Sequence, residues 1–361
     1  MKRLTLVTAL FDLARREGNP RRRNVEHYMR AAEYLFDLDA DVIAFADPEL
    51  ADGLADARRL AGHEARTVVV PLALEELPAH ELAGPIVAAR RAHPILNGDP
   101  DKDTPLYAVL QWSKFELVRR ATDLDPFDAT HYGWLDIGLP SRPHPADRVF
   151  EQPADRVRLL AMRGFREADL ADAADYLSHL RGHVAAGYVT ASAPAFMRLC
   201  ERFDARAREF LEARLAPSEE QLLPILCLEE PELFEFHYGD YGAILSNYLR
   251  LRGSAENLIF QLRDARAHGD FAHGHAIGSR LLESVSEGTF ECHPHLLSDL
   301  LDEAFIAAWY DEGAGPDVAG HVASVYAGLV QSDPDFRDAF LRDEIRIRSN
   351  FASLPAERRP L

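Results

Sequence analysis

What most constrains this chain is the way its apolar residues switch between two periods. Over the first two-fifths, short unbroken apolar runs alternate with stretches in which apolar residues recur every three or four positions. Strand-like and helix-like segments in alternation fold as a sheet with helices layered on its faces. LTLVTAL at 4–10 predicts a buried strand, 22–36 a helix, DVIAFAD at 41–47 a second strand closed by Pro48, and RTVVVPL at 66–72 a third. Thr104 and Pro105 offer an N-cap and first-turn pair for a helix running to about Thr122. HYGWLDIGL at 131–139 then predicts a strand entering a loop at Gly138 and Pro140.

The alternation repeats in the middle third. A short helix near 167–180 is followed by the small-residue strand HVAAGYVTAS at 183–192 and a long helix from Pro194 to about Leu215, in whose apolar stripe Cys200 reads as core filling. Pro217 and Ser218 start another helix, and ELFEFHYGDY at 232–241 predicts a last strand and loop. Beyond about Gly253 the strand signal ends, and 255–347 reads as four or five helices without a repeat period. The expected organisation is a sheet domain over 1–252 and a helical region over 253–361, either separate or packed on the sheet as a C-terminal layer of the same domain.

Composition narrows the functions open to such a fold. Forty Lys and Arg against fifty-nine Asp and Glu give a net charge of −19, which repels nucleic acid and anionic membrane surfaces unless a local basic site overrides it. Cys200, Cys227 and Cys292 show no CxxC spacing, so the expectation is a reducing, cytoplasmic location. The opening apolar run ends at Asp12, too early for a signal peptide, and no segment reaches the roughly 20 apolar residues of a membrane span, so any membrane role would be peripheral. No GxGxxG, Walker loop, GxSxG elbow or HExxH is present, which removes the usual support for dinucleotide oxidoreductases, P-loop enzymes, α/β-hydrolases and zincins.

Ligands of open α/β sheets bind beyond the carboxyl ends of the strands, so the residues just after each apolar run are the candidates. These are Thr8, Asp12, Arg15 and Arg16 after the first strand, Asp47 after the second, Asp136 after the fourth, Gly187 and Tyr188 in the small-residue strand, and His237, Gly239, Asp240 and Tyr241 after the last. Carboxylates, an imidazole and a few cations suit a divalent magnesium or manganese ion bridging a phosphorylated ligand. Asp136 reads either as a metal acid or as a turn residue. Lys114, on an otherwise buried helix, must snorkel to solvent or meet an anion such as phosphate. Arg15, Arg16, Arg21, Arg22 and Arg23 read either as a solvated loop or as guanidinium forks for a diphosphate. Glu219, Glu220 and Gln221 either favour a helix start or supply a general base. His268, His273 and His275 with Asp270, and His293 with His295, read as helix-junction turns rather than metal clusters.

In their order, VTALFD, NGDPDKDTPLYAVLQWSKFELV, HYGWLDIGL, AAGYVTAS and SEEQLLPILCLEEPELFEFHYGDY resemble the HtrL/WlaTC family of bacterial proteins from surface-polysaccharide loci, regarded as GT-A-type glycosyltransferases. The resemblance spans roughly residues 4–250. It implies an α/β GT-A-like mixed sheet with flanking helices, a nucleotide-diphosphate-sugar donor, a saccharide or other hydroxyl acceptor, and a manganese or magnesium ion. Carried onto this sequence, it implies donor contacts from Thr8, Ala9, Phe11, Arg15, Asp47, Lys114, Trp134, Gly187, Tyr188, Gly239 and Tyr241. It makes Asp136 the metal acid, assisted by His237 or Asp240, and Glu219 or Glu220 the base. One departure stands out: GT-A enzymes usually carry Asp-x-Asp, and here Gly138 fills the second acidic position. A glycan- or nucleotide-binding module without turnover is the alternative that this departure suggests. The oligomeric state is not legible.

Overall fold

The computed structural model describes residues 2–18, 23–99, 104–144 and 146–311, with scattered positions from 320 to 337. They form two compact units, one ending at His237 and the other starting at Tyr238.

The first unit is built on a seven-stranded mixed sheet in the order β3-β2-β1-β4-β6-β5-β7. Its strands are β1 (Leu4–Leu10), β2 (Asp41–Ala46), β3 (Thr67–Pro71), β4 (His131–Leu135), β5 (Val157–Ala161), β6 (Val184–Ser192) and β7 (Phe234–Tyr238). β1 pairs in parallel with β2 and β4, β2 in parallel with β3, and β6 runs antiparallel to both β4 and β5. Every residue of β1 is buried, as its uninterrupted apolar run requires of a strand covered on both faces. This is a mixed sheet with flanking helices, the layered architecture that the alternating periods predict.

The flanking helices are α1 (Leu13–Glu17), α2 (Val25–Ala31), α3 (Glu33–Phe36), α4 (Pro48–Leu60), α5 (Ala83–Ala92), α6 (Pro105–Leu124), α7 (Ala173–Leu177), α8 (Ala193–Glu212) and α9 (Glu219–Glu229). The Thr104 hydroxyl accepts from the Tyr107 N–H and Pro105 opens α6, as the sequence indicates. Phe115 of α6 packs edge-on to Phe203 of α8 at 4.9 Å, and the Cys200 thiol donates to the Phe115 carbonyl. Burial pushes that thiol up to about 12, so Cys200 is core. Ser218 and Gln221 form a capping box at the start of α9.

Several sequence expectations shift. The helix expected over 22–36 is two, broken at Ala32, and the one near 167–180 shortens to a 3-10 turn and α7. β4 ends at Leu135 rather than 139, because the Leu139 N–H turns back to the Asp136 carbonyl. α4, α5 and β5 were not anticipated; β5 is a five-residue run carrying Arg158 at a bulged register.

The second unit includes the helices α10 (Ala255–Ala267), α11 (Phe271–Ser286) and α12 (Pro294–Tyr310). Leu258, Leu262, Ile277, Leu281, Leu300 and Leu301 form their shared core. Gly274 and Gly278 let α11 lie close on α12: a Cβ at 274 would fall 2.8 Å from that of Ala307, and one at 278 would fall 2.9 Å from that of Ala304. The remaining helices expected up to 347 fall on residues mostly outside those described.

Candidate active site

Chain direction locates the site before any side chain does. After β1 the chain builds β2 and β3 on one side and then crosses to place β4 on the other. Adjacent parallel strands whose connections leave in opposite directions open a crevice at their carboxyl ends, and Asp136 is the first residue past β4 at that point.

Asp136 is anchored three ways. Its backbone N–H donates to the Gly187 carbonyl of β6 at 2.9 Å, and its Oδ1 accepts from the Trp134 indole at 2.7 Å. The Lys114 ammonium lies 3.0 Å from the same oxygen. Lys114 is reached from α6, and its Nζ also donates to Glu219 Oε1 at 2.7 Å. Lys114 and Glu219 are only 4% and 2% exposed, so this is a buried ion pair with Asp136 at its open end. Burial by itself lowers the lysine pKa, but the charges of Asp136 and Glu219 outweigh it and hold the ammonium well above its ordinary value. Lys114 therefore does not snorkel; the anions that it meets here are the protein's own.

Glu219 keeps one oxygen, Oε2, buried without a hydrogen-bond partner. Its neighbour Glu220 is half-buried and accepts from the Ala186 N–H of β6 at 3.3 Å. Burial, reinforced by the charge of Glu219 and opposed by Lys114, pushes the Glu220 carboxyl up to about 7. Adjacent acids thus differ in character: Glu219 is tied to a cation and Glu220 titrates near neutrality.

Three tyrosines extend the site. Burial raises the Tyr107 hydroxyl well above 10, an effect lessened by Lys114 and increased by Glu219 and Asp136. The Tyr34 hydroxyl is buried without a hydrogen-bond partner, and burial followed by the Asp136 charge raises it, while Arg142 opposes. Tyr28 lies against Gly138: a Cβ there would come within 2.7 Å of the tyrosine ring. The position of the missing second acid is closed by an aromatic ring. Sequence reasoning passed over these tyrosines and Arg142. The cue for Arg142 was its place in the loop after β4, and the tyrosines gave no cue beyond lying on helices around the crevice.

Other expected donor contacts are occupied or enclosed. Asp47 is fully buried and gripped bidentately by Arg16 at 2.6 and 2.7 Å, and it also accepts from the Asp12 N–H. Arg16 reaches Glu75 as well, and the Glu75 hydrogen bond leads the charges that raise its guanidinium pKa against burial. Arg15 pairs with Glu49. These arginines hold the exits of β1 and β2 together, Arg23 is exposed, and Arg21 and Arg22 lie outside the described residues. Thr8 is buried against a small cavity with Leu35, Leu54 and Arg58, and Ala9 and Phe11 belong to the core. Tyr188 is buried, with Phe150 edge-on at 6.0 Å.

His237 is buried in β7. In the second unit Gly239 has φ 135° and sits so close to Asn247 that a Cβ would fall 2.3 Å from its amide nitrogen, and the Gly239 carbonyl accepts from Gln261. Asp240 and Tyr241 are half-buried at the 3-10 turn that follows. Asp270 caps α11, and His275 pairs with Asp311 at 2.7 Å, consistent with a helix junction.

The expected metal can be tested against these donors. Among the described residues no three His, Cys, Asp or Glu side chains are grouped to hold a metal ion. Asp136 and Glu219 converge instead on an ammonium, and Gly138 supplies no ligand. The residues do not fit a resident divalent metal. No described helix is long and apolar enough to cross a membrane.

Residues 2–246 match the family model HtrL_YibB, described as bacterial protein of unknown function. No curated protein matches the chain. Among solved structures, apo mouse xyloside xylosyltransferase 1 is similar at 14% identity and a TM-score of 0.36, over 65% of this chain and 84% of that one.

Proposed function

The chain belongs to the HtrL_YibB family of bacterial proteins of unknown function, and from that premise we propose that it transfers a sugar from a nucleotide-diphosphate donor to a hydroxyl acceptor. The observation that carries this reading is the acid cluster at the switch point: Asp136, Glu219 and Glu220 meet at the carboxyl edge of a GT-A-like sheet.

The roles follow from the surroundings of each group. Glu220, half-buried and with a carboxyl near 7, takes the proton of the acceptor hydroxyl. The acceptor oxygen then bonds to the anomeric carbon, and the departing bond's electron pair leaves with the diphosphate. Lys114 holds Glu219 and Asp136 in place, and Asp136, a quarter exposed at the open end of the pair, accepts from a sugar hydroxyl.

The test is a panel of UDP-, GDP-, CMP- and dTDP-sugars, read first by thermal shift and then by donor turnover. One donor is expected to raise Tm and to be hydrolysed or transferred, with a rate that falls below about pH 7 as Glu220 becomes protonated. Glu220→Gln is expected to lower kcat about 100-fold or more with little change in donor binding. No stabilisation by any donor would refute the reading. Gly138, closed off by Tyr28, favours a second one, a binding module without catalysis; stabilisation by a donor with no turnover on any acceptor would select it.

A further inference from the structure

Two carboxylates at the crevice already share a cation. Lys114 Nζ lies 2.7 Å from Glu219 Oε1 and 3.0 Å from Asp136 Oδ1, with the Trp134 ring 5.8 Å away. A metal ion needs two or more such oxygens directed at one empty point. Here that point is filled by an ammonium on a stem buried in α6, and it cannot swing aside without stranding Glu219, which has no other hydrogen-bond donor among the described residues. The remaining acidic position is closed, because any side chain at 138 meets the Tyr28 ring.

We propose that Lys114 is a built-in replacement for a divalent metal: it occupies the cation seat between Asp136 and Glu219, so the site binds no divalent ion and any donor binds without one. This rests in part on the donor reading above, but its first test does not. The charge of a departing diphosphate is met from the open side of the crevice, where Arg142 is exposed on the loop after β4 and has no ion-pair partner among the described residues.

Two measurements decide it. Manganese is titrated calorimetrically into the wild-type chain, Lys114→Ala and Asp136→Asn, without nucleotide. The wild type is expected to show no binding tighter than about 1 mM, and Lys114→Ala, which leaves two carboxylates facing an empty seat, is expected to bind at least about tenfold more tightly. Submillimolar manganese binding by the wild type that Asp136→Asn abolishes would overturn the proposal, and this comparison stands even if Lys114→Ala fails to fold. The second measurement repeats the donor thermal-shift panel in EDTA and in manganese. Equal shifts support the proposal, and a shift that appears only with manganese overturns it. A panel with no shift at all refutes the transferase reading and leaves the metal titration to decide this one.

Discussion

Replacing Lys114 with Met keeps the volume of the buried stem and removes its charge. At 2.7 Å the attraction between the Lys114 ammonium and Glu219 is about 6 kcal/mol at an effective dielectric of about 20. Most of that is cancelled by the cost of taking both ions out of water, so the pair adds little in net. Removing one partner is another matter. Glu219 is 2% exposed and its second oxygen is already without a donor, so the variant leaves a buried carboxylate with no partner at all. The expected loss is about 3–5 kcal/mol. Asp136 is a quarter exposed and still holds the Trp134 indole, so its share is small. The double variant Lys114→Met with Glu219→Gln removes both charges, and its loss should fall about 2 kcal/mol or more short of the sum of the single losses. Urea unfolding followed by tryptophan fluorescence reads this, since Trp112 and Trp134 lie in the sheet unit. A single-variant loss below about 1 kcal/mol, or additive losses, would refute the buried-pair account.

Gly138→Asp restores the acidic spacing but drives a Cβ to 2.7 Å from the Tyr28 ring, so it should lower Tm and gain no manganese affinity by calorimetry. Arg142→Ala should weaken binding of the stabilising nucleotide about tenfold with Tm unchanged, because Arg142 is exposed and unpaired among the described residues. Gly278→Ala should cost the helical unit about 1–3 kcal/mol, measured by thermal unfolding, because the new methyl meets the Ala304 Cβ at 2.9 Å and its Cα at 3.3 Å. Between about 4.5 and 7 the native Glu220 carboxyl holds a proton that the unfolded chain has lost, so native stability falls as pH rises through that window; Glu220→Gln should flatten this slope in urea titrations taken at several pH values.

The sheet was legible wherever one period dominated. LTLVTAL and VAAGYVTAS are buried almost throughout, and a strand so placed carries no charged residue to blur its pattern. β5 escaped because VRLLA is short and interrupted by Arg158, which pairs with Glu235. The residues of the site were legible by type and position, since Asp136, Lys114 and Glu219 were each singled out from separate segments. Their relationship was not. A lysine 22 residues before one acid and 105 before another carries no local signature of pairing with either, and only the packing of α6 on β4 and on α8, which also holds α9, brings the three together.

That relationship changes how charge is apportioned at the crevice. The sequence suggested an acidic protein gathering cations for a pyrophosphate from Arg15, Arg16 and Lys114. The structure commits Arg16 to Asp47 and Glu75, Arg15 to Glu49, and Lys114 to Asp136 and Glu219. With Glu220 ionised, the four groups from Lys114 to Glu220 carry a formal charge of −2, and a free diphosphate would be repelled by them. An electroneutral approach therefore requires the sugar, not the phosphates, to face the carboxylates. If the chain is the transferase proposed, a sugar's hydroxyls would donate to Asp136 and Glu220, while the diphosphate would lie toward Arg142. Charge alone would then orient the proposed nucleotide-sugar donor in this crevice, with its transferable end against Glu220.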